Sequence, residues 1–116
     1  MINDIRLSPH FKLREFQCRC CGTVKLLPGL LDMLEFIRSA WAVPMIVTSG
    51  FRCAGHNAAV GGAAQSLHLR GAAADISASA RDQALLREIA EYAGFSEIIC
   101  GGGKNYIHLG CKGPAG

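Results

Sequence analysis

Two stretches of the chain carry apolar residues at the three- and four-residue steps that line one face of an α-helix. The first spans residues 28–41, where a proline at the start suits the first helical turn. Its apolar positions are Leu30, Leu31, Leu34, Ile37, Ala40 and Trp41. The second spans residues 81–92, and Gly94 follows it as a helix-ending residue. Both stretches place charged residues on the opposite side, so we predict two amphipathic helices that cover a core.

Four shorter segments have the composition of β-strands. Residues 45–48 are rich in β-branched side chains, and residues 72–76 form a run of small and apolar residues after a glycine. Residues 95–100 and 105–109 are joined by a glycine-rich connection that is typical of a hairpin. The order helix, strand, loop, strand, helix, strand, strand predicts an α+β fold, in which helices pack on one face of a small, mainly antiparallel sheet.

Composition narrows the class of protein. A chain of 116 residues is enough for one domain, residues 1–116, with a single core. Twelve Lys and Arg residues against nine Asp and Glu residues give a net charge of +3 without a basic run, which argues against a nucleic-acid partner. The apolar runs are too short for a membrane span. The N-terminus lacks the zones of an export signal, so we expect cytoplasmic synthesis without a signal peptide. We also expect a monomer.

The six cysteines leave the redox state open, because their share of the chain is below that of a disulfide scaffold. Cys18, Cys20 and Cys21 are crowded enough to suggest either a structural metal site or a disulfide with Cys53. Their spacing differs from the usual two-pair zinc pattern, and no histidine lies close by in the sequence. We therefore favour buried or partly paired cysteines over a second zinc site, and we assign none of them as a nucleophile.

The clearest candidate chemistry lies in residues 66–75, which hold a histidine and an aspartate around a glycine turn. His68 and Asp75 are side chains that Zn2+ accepts together, and a catalytic zinc usually has three protein ligands and one water molecule. Among the other histidines, His108 lies in the middle of a predicted strand, where alternation can direct its ring away from the core. We therefore select His108 as the third ligand. In the alternative interpretation, His68 is a solvated loop residue and Asp75 caps the segment that follows.

The order of motifs along the chain resembles that of a known family. Residues 66–75 follow the pattern Ser-x-His-x-x-Gly-x-Ala-x-Asp, which is similar to the signature of the M15 family of zinc D-Ala-D-Ala carboxypeptidases and peptidoglycan endopeptidases. Residues 47–53 and 56–63 resemble the family's substrate-arginine strand and loop, and residues 106–108 resemble its last zinc strand. The resemblance covers about residues 11–111 and implies the fold of the hedgehog and DD-peptidase domains.

The resemblance implies roles for several residues. It implies one Zn2+ per chain, held by His68, Asp75 and His108, and a substrate-binding arginine at Arg52. Ser66 is close enough in sequence to orient a zinc ligand or to contact the substrate. The implied substrate is a peptidoglycan stem peptide, cleaved by a carboxypeptidase or an endopeptidase activity. The implied place of action is the cell wall, the periplasm or a virion.

The general base is where the chain departs from the M15 pattern. Many members place Asp or Glu three residues before the last zinc histidine, whereas this chain has Asn105, whose amide cannot take a proton near neutral pH. A smaller subgroup places an acid two residues after that histidine, where this chain has Gly110. His56 and Glu97 remain as candidate bases, and we predict low turnover. The alternative function is a zinc-binding module with weak or no activity, which binds peptidoglycan or forms part of a phage particle. A structural domain without metal is a further alternative.

Overall fold

A four-stranded antiparallel sheet organises the fold in this computed structural model, which describes residues 4–112. A separate two-stranded ribbon precedes it. The strands are Arg6–Ser8 (β1), Phe11–Lys12 (β2), Val47–Ser49 (β3), Ala73–Ser77 (β4), Glu97–Cys100 (β5) and Tyr106–Gly110 (β6). β1 pairs with β2, and the larger sheet has the order β3-β4-β6-β5. Residues 1–3, on which the expectation about export partly rests, and residues 113–116 lie outside the described range.

Three α-helices accompany the sheet, and they confirm the predicted α+β class. The helices are Pro28–Trp41 (α1), Ala54–Ala59 (α2) and Ala80–Ala93 (α3). Leu34 of α1 and Leu86 of α3 are fully buried in the same core as Ile76 and Leu109 of the sheet. None of the helices within residues 4–112 is long and apolar enough to cross a membrane.

Side-chain alternation gives the sheet one apolar and one polar face. Ile76 of β4 and Ile107 of β6 are register partners and are fully buried in the core that α1 and α3 cover. Asp75 and His108, the adjacent pair in the same register, point to the opposite face because successive side chains in a strand alternate. The side chains of Asp75 and His108 therefore lie on the face of the sheet that α1 and α3 do not cover.

Predicted and observed elements differ mainly at their ends. α1 has the predicted bounds. α3 is longer than predicted by one residue at each end, because Ser79 accepts the Asp82 N–H as an N-cap and Gly94 takes the left-handed conformation that ends the helix. β3 begins at Val47 rather than at residue 45, since pairing with β4 and not composition decides where the ladder starts.

The connection between β5 and β6 contains a 3₁₀ turn, Gly102–Lys104, where the sequence predicted a hairpin loop. The buried Gln83 of α3 holds this turn, because its Nε2 donates to the Gly102 carbonyl oxygen at 2.9 Å and its Oε1 accepts the Gly102 N–H at 2.8 Å. Asn105 ends the turn with a φ of 60°. The turn thereby fixes where β6 begins, and with it the position of His108.

Candidate metal centre

Two histidines and one aspartate from three segments meet on the polar face of the sheet. His68, Asp75 and His108 each bring one potential ligand atom, and these atoms lie within 4.8 Å of one another. Asp75 Oδ1 is 3.1 Å from His68 Nε2 and 3.0 Å from His108 Nδ1. The three residues that the sequence predicted as zinc ligands are therefore neighbours in space.

A 3₁₀ turn, Leu67–Arg70, holds the His68 ring with only 1% of the residue exposed. Ser66 caps this turn, because its Oγ accepts the His68 N–H at 3.2 Å. His68 Nδ1 donates to the Gly50 carbonyl oxygen at 2.7 Å, since a carbonyl can only accept. Because Nδ1 is used in this way, Nε2 is the His68 nitrogen that could bind a metal, and it faces the Asp75 carboxylate.

Gly71 turns the chain from His68 into β4, as the sequence predicted. Its φ is 68°, in the left-handed region that favours glycine. A Cβ at this position would lie 2.4 Å from the Lys25 carbonyl oxygen, so the close approach of the two segments also requires glycine. This turn lets the chain reverse between His68 and Asp75, so that the two side chains come within 3.1 Å of each other.

His108 lies between two carboxylates. Its Nδ1 contacts Asp75, its partner in strand register, and its Nε2 is 2.6 Å from Oε1 of Glu97 on β5. Only Nδ1 therefore faces the other predicted ligands. A carboxylate on the outer nitrogen of a metal-binding histidine is a common arrangement, because it fixes the orientation of the ring and makes the ligand nitrogen more basic.

Burial and hydrogen bonding act in opposite directions on the charges of this cluster. Burial by itself raises the pKa of the Asp75 carboxyl, but hydrogen bonds with His108 and His68 outweigh it and hold that pKa well below its usual range. Burial lowers the pKa of His108, whereas its hydrogen bonds to Asp75 and Glu97 raise it, and the net shift is upward. Asp75 is therefore ionised at neutral pH, as a metal-binding carboxylate must be.

Arg52 reaches the same cluster from the loop that follows β3. Its Nη2 is 3.3 Å from Asp75 Oδ2, so the aspartate uses one oxygen for the histidines and the other for the arginine. Arg52 Nε donates to Ser49 Oγ at 3.1 Å, and Nη1 donates to Oδ1 of the buried Asn57 at 3.3 Å. These contacts hold the guanidinium at the edge of the cluster with 15% of the side chain exposed.

An open cleft of about 570 Å³ lies above the cluster, within the size range of small-molecule and peptide sites. Its lining includes the three predicted ligands together with Arg52, Ser66, Glu97, Ile99 and Tyr106. The sequence analysis missed Tyr106 and Ile99. Tyr106 precedes His108 by two residues, so strand alternation could have placed both on one face, whereas Ile99 is found only from its pairing with His108.

The two predicted candidates for the general base, Glu97 and His56, and the usual position of the base, Asn105, differ in whether they line this cleft. Glu97 lines it, with 40% of its side chain exposed. His56 lies in α2, where its backbone N–H donates to Cys53 Sγ, and Asn105 is exposed at the end of its 3₁₀ turn. Neither His56 nor Asn105 belongs to the lining of the cleft as residues 4–112 form it.

Two imidazoles and an ionised carboxylate beside an open cleft define a site of the kind that zinc hydrolases use, because the donor set suits Zn2+ and leaves room for water and substrate. The chain belongs to the peptidase M15 family, whose model, described as Peptidase M15, matches residues 9–110. The match confirms the family resemblance found in the sequence and makes this a peptidase-family domain. No match was found between this chain and the curated proteins compared with it.

Proposed function

We propose that this domain is a zinc-dependent peptidase that hydrolyses peptidoglycan stem peptides, as a carboxypeptidase or an endopeptidase. The observation that carries the proposal is the convergence of His68 Nε2, Asp75 Oδ1 and His108 Nδ1 beside a cleft in a peptidase M15 domain. We further propose that residues 1–116 act as one monomeric domain, at the cell wall, in the periplasm or in a virion.

The residues around the proposed zinc ligands have distinct tasks in this proposal. Zinc bound there supplies Lewis acidity and a water molecule of lowered pKa. The Gly50 carbonyl keeps His68 in one tautomer, and Arg52 offsets charge on the second oxygen of Asp75. Glu97 takes the proton from the attacking water, because it is the one carboxylate besides Asp75 in the cleft lining that residues 4–112 provide.

A second candidate function is zinc binding without turnover, in a module that binds peptidoglycan or forms part of a phage particle. Asn105 favours this candidate, because its amide cannot act as a base and it lies outside the cleft lining that the described residues form. Gly110 favours it as well, because it has no side chain where a subgroup of relatives places an acid. The two candidates differ in whether peptide bonds are cleaved and agree on the zinc ion.

The zinc-loaded chain is expected to release peptides from purified peptidoglycan, and His68→Ala is expected to lose both that activity and one equivalent of zinc. Removing the imidazole leaves two protein ligands, fewer than the three that catalytic zinc sites use. Elemental analysis of the dialysed protein measures the zinc, and mass spectrometry of the soluble products measures the cleavage.

His10→Ala is the matched control, because His10 is an exposed histidine that pairs with Glu35 away from this site. It should keep both the zinc and the activity. Unchanged zinc content in His68→Ala would contradict the ligand assignment. Zinc binding by the parent without release of peptides would instead select the non-catalytic module.

Arg52→Lys is expected to raise KM for a stem peptide by roughly ten- to a hundredfold, because a charge-assisted hydrogen bond contributes about 1.5–3 kcal/mol. A guanidinium binds a carboxylate or a carbonyl group with two parallel hydrogen bonds, and the smaller ammonium group of lysine cannot reproduce that geometry. Steady-state kinetics separate KM from kcat, and zinc content is measured on the same samples.

Arg70→Lys provides the comparison for this prediction, because Arg70 ends the 3₁₀ turn of His68 but is exposed. Its KM should equal that of the parent. If Arg52→Lys bound the peptide as well as the parent does, Arg52 would have no part in substrate binding. A loss of zinc affinity at constant KM would restrict its role to holding Asp75 Oδ2.

A further inference from the structure

Four cysteines form a cluster that runs from the buried Cys18, through the partly exposed Cys53, to the exposed Cys20 and Cys21. Their sulfur atoms all lie within 4.8 Å of one another. Cys20 Sγ is 3.3 Å from Cys53 Sγ and 3.5 Å from Cys18 Sγ. Sulfurs bound tetrahedrally to zinc at about 2.3 Å are about 3.8 Å apart, so the four thiols already have nearly the separation that one shared zinc ion imposes.

A tight turn brings three of these sulfurs to one place. The Cys18 carbonyl accepts the Gly22 N–H at 2.9 Å, and the Cys18 N–H donates to the Thr23 carbonyl at 2.7 Å. Gly22 has a φ of 74°, which allows the chain to reverse directly after Cys21. The turn thus places the thiols of Cys18, Cys20 and Cys21 close together. The fourth thiol, that of Cys53, comes from a distant part of the chain.

Backbone N–H groups are directed at two of the sulfurs. The Cys53 N–H donates to Cys18 Sγ, and the His56 N–H donates to Cys53 Sγ, each at 3.4 Å. Such donors stabilise the thiolate, which is the form that binds metal.

We propose that Cys18, Cys20, Cys21 and Cys53 bind a structural zinc ion. Four protein ligands close the coordination sphere, so this site holds the fold together and performs no hydrolysis. A single disulfide with Cys53 would use two of the four sulfurs and leave unexplained why the other two converge on the same point. From the sequence, a structural metal site and a disulfide with Cys53 were both considered, and buried or partly paired cysteines were favoured; the convergence of all four sulfurs is the reason for preferring the metal site.

The zinc ion would tie the N-terminal turn to the loop of the peptidase cleft. Cys53 follows Arg52 directly and caps α2 by accepting the His56 N–H on its sulfur. Asn57 of the same helix holds the Arg52 guanidinium. Metal at the cysteine cluster therefore constrains the segment that positions Arg52 through the adjacent Cys53, and its removal should destabilise the domain, because the free energy of metal binding adds to that of folding.

The test uses the full chain, expressed with zinc and purified with reductant. X-ray absorption at the zinc edge separates sulfur neighbours at about 2.3 Å from nitrogen and oxygen neighbours at about 2.0–2.1 Å. The parent is expected to show sulfur neighbours at about 2.3 Å, averaged with the nitrogen and oxygen neighbours of zinc at the His68 site, and the sulfur shell should stand alone once that site is removed. The double variant His68→Ala/His108→Ala is expected to keep the sulfur-bound zinc, so this result does not depend on the proposed peptidase site.

Cys20→Ser/Cys21→Ser is expected to lose one equivalent of zinc, the whole sulfur shell and several degrees of thermal stability. Cys100→Ser is the matched control, because Cys100 lies in β5 outside the cluster, and it should keep the sulfur shell. Parent protein without sulfur-bound zinc would overturn the proposal, whether its thiols are free or are found by mass spectrometry to be joined in disulfides. The parent spectrum decides the matter even if a cysteine variant does not fold.

Discussion

Glu97→Gln is expected to lower the rate of stem-peptide hydrolysis at saturating zinc by roughly 10²- to 10⁴-fold, the usual contribution of a general base. The substitution keeps the shape of the side chain and removes its ability to take a proton. Glu97 Oε1 contacts His108 Nε2 at 2.6 Å, on the outer nitrogen of the ring whose Nδ1 faces the proposed zinc, so it is Oε2 of the carboxylate that is left to accept the proton.

Zinc titration separates the two tasks that Glu97 can have. If Glu97 only orients His108, the variant should bind zinc 10- to 100-fold more weakly, and excess zinc should restore the rate. His56→Ala serves as the control, because His56 is outside the cleft lining within residues 4–112, and its rate should match the parent. Activity gained only on Asn105→Asp would identify a degenerate enzyme in which Glu97 does not replace the missing acid.

The helices and strands could be predicted because their periodicity is a local property of the sequence. The apolar face of residues 28–41 gave the bounds of α1 directly, since the same positions that repeat in the sequence are buried against the sheet. Strand ends were less accurate. The ends of β3 and β4 depend on where hydrogen-bonded partners are available, and that depends on a distant segment.

The candidate site was predictable only in part, because some of its contacts also depend on segments that are distant in the sequence. His68 and Asp75 are seven residues apart and share a recognisable turn, and the choice of His108 followed from its place within a strand. The contact between Glu97 and His108 depends on the pairing of β5 with β6, in which Ile99 and not Glu97 lies opposite the histidine. The predicted hairpin placed Glu97 across from the strand of His108, but it could not show that the carboxylate contacts the histidine ring.

The cysteine cluster shows the limit of spacing rules most clearly. The crowding of Cys18, Cys20 and Cys21 suggested a structural metal site or a disulfide with Cys53, but the three do not form two separated pairs, so buried or partly paired cysteines were favoured over a second zinc. The turn ending at Gly22 brings the three sulfurs together, and the loop after β3 places Cys53 Sγ 3.3 Å from Cys20 Sγ. Phe16 helps to bring these segments together, because its carbonyl accepts the Phe51 N–H at 2.8 Å.

Gly50→Ala is expected to lower the free energy of unfolding by about 1–3 kcal/mol, the usual cost of forcing extra atoms into a packed region. A Cβ at Gly50 would lie 2.6 Å from the Phe16 Cα and 2.8 Å from the Phe16 carbonyl oxygen. Backbone atoms cannot move aside by changing rotamer, so the loop after β3 must shift. Urea unfolding of the metal-free and zinc-loaded forms measures the change.

The same substitution should weaken zinc binding at the His68 site, because Gly50 has a second function there. Its carbonyl oxygen accepts the His68 Nδ1–H at 2.7 Å and fixes the tautomer of a proposed ligand. Gly55→Ala is the control, since a Cβ at Gly55 meets nothing within 4 Å and alanine favours the helix in which Gly55 lies. It should leave zinc affinity unchanged and stability equal or higher. If Gly50→Ala kept normal stability but bound zinc more weakly, the loop would have shifted without strain. If stability and zinc binding were both normal, the contact with Phe16 would not position His68.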